Sequence, residues 1–204
     1  MHKTRLEQMQ AQMIKKMDTS RGEQVSASME QEYLILCRDD VNRPQNLLRH
    51  LHNNIFPVAA TFRALLKTGM SREEAVKLTQ DAFLELMERP AAAIQKLCKI
   101  PGVYRLVPQI FAKLMPKLFQ ADAGFVFQFY PTARNQVKFD MISCPYYQVC
   151  QELDCRELAP VFCATDDICY GHMHPKLCWN RTQTLARGGN CCDFDITIRE
   201  TKKR

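Results

Sequence analysis

The chain lacks the features that would assign it to a class at once. Its longest stretch without Asp, Glu, Lys or Arg, such as His50 to Phe62, is far shorter than the ~20 apolar residues of a membrane-spanning helix. No apolar h-region follows Met-His-Lys-Thr-Arg, so no secretory signal is visible, and the expected compartment is the cytosol, where thiols stay reduced. No C-x-x-C pair occurs anywhere, which removes the usual signature of zinc ribbons, thioredoxin-like centres and ferredoxins. There is no zinc-finger or RRM signature, no basic stripe with interleaved aromatics, no internal repeat and no low-complexity tract. Neither nucleic acid nor a membrane is an expected partner.

What is present suits a soluble folded chain. The 204 residues are 46% hydrophobic and 25% charged, enough to fill a core and too apolar for general disorder. The net charge of +6 is mild, and much of it sits at the ends, in Lys3, Arg5, Lys15, Lys16, Lys202, Lys203 and Arg204. Cysteine is the unusual component: eight of ten lie between Cys144 and Cys192.

The first two thirds read as helix. Leu6, Met9, Met13, Ile14 and Met17 form a narrow apolar stripe that needs a partner surface, in the same chain or in a second copy, so a homo-oligomer through this helix is one expectation. Thr19 to Ser28 is polar and small and reads as a linker. Tyr33, Leu34, Leu36 and Cys37 suggest a short helix, and Leu47, Leu48, Leu51 and Ile55 another, running toward Pro57. Val58 to Leu66 continues helical until Gly69. Ser71 and Glu74 predict a capping box for a helix that Pro90 stops. A further helix spans Val103 to Phe119, bent near Pro108 and Pro116.

From Gly124 the period changes to two. Phe125, Phe127 and Phe129 alternate with polar or outward positions, Val137, Phe139 and Met141 do the same, and residues 131–135 make a hairpin loop. Leu177 to Leu185 and Cys192 to Arg199 read as two more strands. The expected fold is α+β, an N-terminal helical region packed on a small C-terminal antiparallel sheet of about four strands. The divisions are residues 1–28 for the N-terminal helix and linker, 29–120 for the helical region and 121–204 for the cysteine-rich part, with 28–204 as one domain.

Five strings occur in a fixed order: Cys144-Pro-Tyr146, Glu157-Leu158, Cys163-Ala-Thr-Asp166, Arg181-Thr182-Gln-Thr184-Leu-Ala186, and Gly189-Asn-Cys-Cys192-Asp193-Phe194. Over roughly residues 120–200 this arrangement resembles the L-2-amino-thiazoline-4-carboxylic acid hydrolase family of bacterial proteins. The resemblance implies hydrolytic opening of a small carboxylate-bearing heterocycle at a C–N or C–S bond, giving a carbamoyl-cysteine, with no cofactor required.

That chemistry needs a nucleophile, a base to activate it and an acid for the leaving atom. Cys163 and Asp166, three apart, share a face if their segment is helical. A carboxylate beside a thiol raises the thiol pKa, so Asp166 serves better as a base for water, and Cys163 becomes a nucleophile only with a cation close by, Arg181 or His172. Arg181 either grips a substrate carboxylate or makes an ion pair with Asp193 or Glu157. Cys192 lies on the apolar face of its strand, as a small core residue or as a third catalytic group. The catalytic candidates are therefore Cys163, Asp166 and Cys192, with Cys144, Tyr146, Arg181, Thr182 and Asp193 around a carboxylate-bearing small molecule. The alternative is a non-enzymatic ligand- or metal-binding sensor. It would hold zinc or iron with Cys144, Cys163, Cys192, His172 and His174, the two histidines reaching the metal alongside Asp166 or Asp167.

Overall fold

The computed structural model describes residues 3–39 and 42–199, so the basic Lys202, Lys203 and Arg204 lie outside the described residues. The chain forms two compact units. The first holds the described residues up to Leu86 together with Gln148–Val161; the second holds Met87–Tyr147 and the described residues from Phe162 onward. The second unit thus draws in helices before residue 120, and residues 148–161 go with the first.

The first unit is helical. α1 (Arg5–Lys16) opens with a capping box in which Thr4 and Glu7 satisfy each other's free N–H groups. Asp18 ends the connection, accepting from the Arg21 N–H at 3.0 Å, and α2 (Thr19–Asp39) begins at once. The expected linker is therefore the start of a long helix. Its buried positions are Gly22, Val25, Met29, Glu32 and Leu36, a three-four repeat facing inward. Gly22 is there for proximity: a Cβ at that position would lie 2.8 Å from Ile14 Cα, so its absence lets α1 and α2 approach. The methionine stripe finds its partner within the chain, with Met9 and Met13 fully buried. Glu32, also buried, is neutralised by Lys67 Nζ at 2.5 Å.

α3 (Gln45–His50) runs through a π-helical turn, Leu51–Ile55, into α4 (Phe56–Lys67). Pro57 explains the wide turn: it has no N–H and its ring would strike the carbonyl four residues back in an α-helix. α4 is the central rod, buried from Phe56 to Phe62, and its one hydroxyl there, Thr61, bonds back to the Pro57 carbonyl at 2.8 Å. Gly69, at φ +82°, stops the chain where a side chain would be strained. α5 (Arg72–Glu85) has the expected Ser71–Glu74 box. It ends before Pro90, which instead occupies the first turn of α6 (Glu88–Cys98), where its missing N–H costs nothing.

In the second unit, residues 103–106 form a 3-10 turn before α7 (Val107–Leu118). Pro108 sits in the first turn of α7, and Pro116 lies inside the helix close to its end. β1 (Val126–Phe129), β2 (Gln136–Ser143), β3 (Leu177–Asn180) and β4 (Cys192–Ile198) make an antiparallel sheet in the order β1-β2-β4-β3. The fold is α+β. Phe139 lies opposite Phe194 with ring centroids 4.9 Å apart, and Val137, Ile196 and Cys192 extend the same buried face. Val107, Phe111 and Met115 of α7 are buried, and Phe111 meets Trp179 and Tyr170 at 6.2 and 5.0 Å. β3 is shorter than the period suggests. It leaves the sheet after Asn180, so residues 181–184 are no longer directed by strand alternation. α8 (Pro145–Glu152) and α9 (Ala159–Tyr170) come between β2 and β3.

Candidate active site

The site is assembled around Arg181, at the point where the chain leaves β3. Its side chain is 6% exposed and its guanidinium lies 5.3 Å above the Phe194 ring. One Nη donates to Asp166 Oδ2 at 3.1 Å; the other donates to Asp167 Oδ2 at 2.8 Å and to the Cys163 carbonyl at 3.0 Å. Trp179 Nε1 donates to the remaining Asp167 oxygen at 3.1 Å. Both carboxylates belong to α9, so one fork ties the strand exit to that helix at three points. Arg181 is thus a buried cation, as expected, but its partners are Asp166 and Asp167 rather than Asp193 or Glu157. Both of its Nη groups are engaged by groups of α9. Glu157 instead pairs with Arg72 at 2.5 Å in the first unit, beside a depression lined by Arg72, Glu73, Asp154 and Arg156 that contains none of the expected site residues.

Asp166 is the distinctive group. Protein packs densely round it, yet its side chain keeps 36% of its surface open. Burial pushes its pKa up to about 7; the charge of Asp167 adds to the rise, and Arg181 opposes it without cancelling it. Only its Oδ2 is held by Arg181, and among the described residues Oδ1 carries no hydrogen bond. A carboxyl half ionised near neutrality, with one oxygen anchored and one open, is equipped to move a proton.

Three thiols share this neighbourhood. Cys163 lies one helical turn before Asp166 on α9, as its spacing predicts. Burial and the nearby Cys192 push its pKa up to about 11, and Asp166 adds to this, while Arg181 pulls the other way. Cys144 stands at the N-terminus of α8. Burial drives it up to about 12, Cys192 and Cys163 add to the rise, and the N–H groups of Tyr147 and Tyr146 temper it. Cys192, buried on β4, is also raised, first by burial, although it accepts from the Leu185 N–H at 3.4 Å. At neutral pH all three are neutral thiols, and they form a weakly polar wall beside one ionisable carboxyl.

Thr182 and Asp193 are engaged with each other. The Asp193 carboxylate accepts from the Thr182 hydroxyl at 2.5 Å, the Thr182 N–H at 2.9 Å and the Gln183 N–H at 2.7 Å. Burial would raise its pKa, but these bonds outweigh burial and hold it below the usual carboxylate range. Asp193 does point away from Cys192, as strand alternation requires, and the pair fixes the loop that carries Arg181. Tyr146 packs on Phe162 and Phe125, at 5.0 and 6.2 Å, as part of the aromatic support. His172 is exposed, and His174 stacks on Tyr104 at 4.2 Å while its Nδ1 accepts from the Lys176 N–H. The five-residue metal set is therefore not assembled: among the described residues, no group of three or more His, Cys, Asp or Glu side chains is placed to hold a metal ion.

The residue missed from sequence is Thr184. It is 5% exposed, and its Oγ1 is buried beside the Cys163 thiol without closing a hydrogen bond of good geometry. A buried hydroxyl whose neighbour is a weakly bonding thiol is poorly satisfied, and a ligand atom would bond it better. Its presence in the Arg181–Ala186 string was the available signal.

No helix among the described residues is long and apolar enough to cross a membrane. Searches of curated proteins and of solved structures gave no match. A family model, however, matches residues 48–196, reaching well into the helical half that showed only a general likeness and taking in every residue of the site. The chain belongs to the L-2-amino-thiazoline-4-carboxylic acid hydrolase family.

Proposed function

We propose that the chain is a hydrolase that opens a small cyclic amidine of the 2-amino-thiazoline-4-carboxylate type, with Asp166 as the proton carrier. The observation that carries this reading is a half-open carboxyl with its pKa near 7, one oxygen held by Arg181 and the other without a hydrogen bond, in a chain of this family. Water bound at Asp166 Oδ1 gives up a proton as its oxygen attacks the ring carbon between nitrogen and sulfur. Collapse of the adduct breaks the C–S bond, because a thiol leaves more readily than an amine nitrogen. Asp166 returns its proton to the departing sulfur. The water oxygen becomes the carbamoyl oxygen, and its two protons end on the ring nitrogen and the sulfur, giving a carbamoyl-cysteine. Thr184 Oγ1 supplies a hydrogen bond to the bound ring, and Arg181 keeps Asp166 in place.

The competing enzymatic route is covalent attack by Cys163. A thiol pushed up to about 11 has about one thiolate in 10⁴ at pH 7, which favours the water route. The test is turnover of 2-aminothiazoline-4-carboxylate, followed by mass spectrometry for the addition of one water. Asp166→Asn is expected to lower kcat by about 10²–10⁴-fold with the fold intact, whereas Cys163→Ala keeps the greater part of the rate. Absence of turnover in the unaltered chain, or full activity in D166N, would overturn the proposal; loss of all activity in C163A alone would transfer the nucleophile's role to Cys163.

A further inference from the structure

The second unit carries an apolar row that its own core does not use. On α7, Val107, Phe111 and Met115 are buried, but Ile110, Leu114 and Leu118 recur four residues apart and are exposed. Leu106 continues the row one turn earlier, and Leu97 and Ile100 add to it around the end of α6; all six are between 41 and 56% exposed. Isolated exposed leucines are ordinary, whereas a run of them along one helix edge is not.

The charge round this row is of one sign. No Asp or Glu falls within residues 89–121, although the chain has 22, and the same stretch holds Arg89, Lys96, Lys99, Arg105, Lys113 and Lys117. Lys113 and Lys117 are exposed three residues beyond Ile110 and Leu114, so they flank the row on the side away from the buried edge. Among the described residues, none of Lys96, Lys99, Lys113 and Lys117 joins an ion pair. The row therefore fits an apolar layer bounded by negative charge. A second copy docked face to face would bring the same cations together. A protein partner is also the poorer fit, because protein interfaces favour aromatics, Met and Arg and are depleted in Lys, whereas this face is Leu and Ile flanked by Lys. Aliphatic side chains that enter an acyl boundary, with lysine stems reaching up to headgroup phosphates, match an interfacial helix.

We propose that residues 97–118 dock the protein on an anionic lipid surface, with α7 lying in the plane of the interface. The proposal is independent of the hydrolase chemistry. It is tested by co-sedimentation of the full chain with vesicles of phosphatidylcholine containing about 30% phosphatidylserine, and with phosphatidylcholine alone. Binding to the anionic vesicles only, weakening as salt rises from about 0.1 to about 0.5 M, is the expected result. Lys113→Gln with Lys117→Gln lowers partitioning by about fivefold per lysine, about 25-fold together. Ile110→Ser with Leu114→Ser and Leu118→Ser removes binding while the far-UV circular dichroism stays unchanged; the two lysine substitutions, at exposed positions, keep the test open if that triple variant does not fold. The proposal falls if the anionic vesicles retain nothing, if both vesicle types bind equally whatever the salt, or if both variants bind as the unaltered chain does. Light scattering that finds a dimer without lipid, dissociated by the triple serine variant, would assign the face to a second copy instead. Capture of an acidic amphipathic peptide with no capture of vesicles would assign it to a protein.

Discussion

Asp167→Asn probes the electrostatics of the site, because it removes one charge at nearly constant shape, at the cost of the Trp179 bond, whose Nε1–H then faces the asparagine NH2. Asp166 and Asp167 are bound to the two ends of one guanidinium, at 3.1 and 2.8 Å, and the Asp167 charge opposes ionisation of Asp166. The asparagine oxygen can still accept from Arg181. For scale, at an effective dielectric of about 40, between protein surface and water, any two unit charges about 6 Å apart interact by about 1.4 kcal/mol, or one pH unit, and a pair sharing one guanidinium falls in that range. Removing Asp167 therefore moves the Asp166 midpoint down, from about 7 toward about 6. A general base works when ionised, so kcat/KM rises with pH up to that midpoint and levels off above it. In D167N the rise occurs at lower pH, and at pH 6 the ionised fraction increases about fivefold. The assay is the pH dependence of kcat/KM, and ¹³C NMR of the carboxyl groups reads the same midpoint without any turnover. A midpoint that stays in place or moves upward refutes the reasoning, because then Asp167 is not the neighbour that helps hold Asp166 near neutrality.

Two further substitutions test other parts of the structure. Thr184→Val keeps the shape of the side chain and removes a hydroxyl that has only a weak thiol neighbour, so thermal stability is expected to be unchanged or raised by about 1 kcal/mol, while kcat/KM for the thiazoline falls about tenfold; a clear loss of stability would mean that the hydroxyl is well bonded within the fold. Gly22→Ala places a methyl group against the Ile14 backbone, so the two helices must separate, and urea denaturation is expected to show a net loss of about 1–2 kcal/mol even though alanine is the better helix former; equal or greater stability would mean that the α1–α2 contact yields freely.

The legible parts of the chain were those where one local rule decides the outcome. Ser71 and Glu74 sit three apart before an apolar run, and they cap α5 as that spacing predicts. Cys163 and Asp166 share a helix face because i and i+3 always do. Cys192, Phe194 and Ile196 alternate with acids, and β4 buries them. α2 was illegible over its first ten residues because its inward repeat there begins at Gly22, and further along the same repeat includes Glu32, both residues that hydrophobic patterning scores as outward. Glycine was selected there by the closeness of α1, and Glu32 by Lys67, neither of which is visible in the local sequence. Arg181 was identified as buried but assigned the wrong partners, since pairing depends on which turn of α9 faces the end of β3. Thr184 was missed because β3 stops at Asn180, and side-chain direction beyond the sheet follows the Thr182–Asp193 anchor rather than a period of two.

The concentration of cysteine then has a physical reading that needs neither metal nor disulfide. The raised pKa of Asp166 comes first from burial of its charged form, with the Asp167 charge adding to it and Arg181 working against it. Serine hydroxyls lining the same wall would donate hydrogen bonds to the carboxylate and draw its pKa back down. Thiols are weak donors and, at their raised pKa values, carry no charge at pH 7, so they leave the carboxyl undersolvated while tolerating water and a polar ring beside it. Their high pKa values and that of Asp166 thus share a first cause, burial. At their raised pKa values Cys144, Cys163 and Cys192 are poor nucleophiles at neutral pH and poor hydrogen-bond donors, which is why the water route through Asp166 is the one proposed.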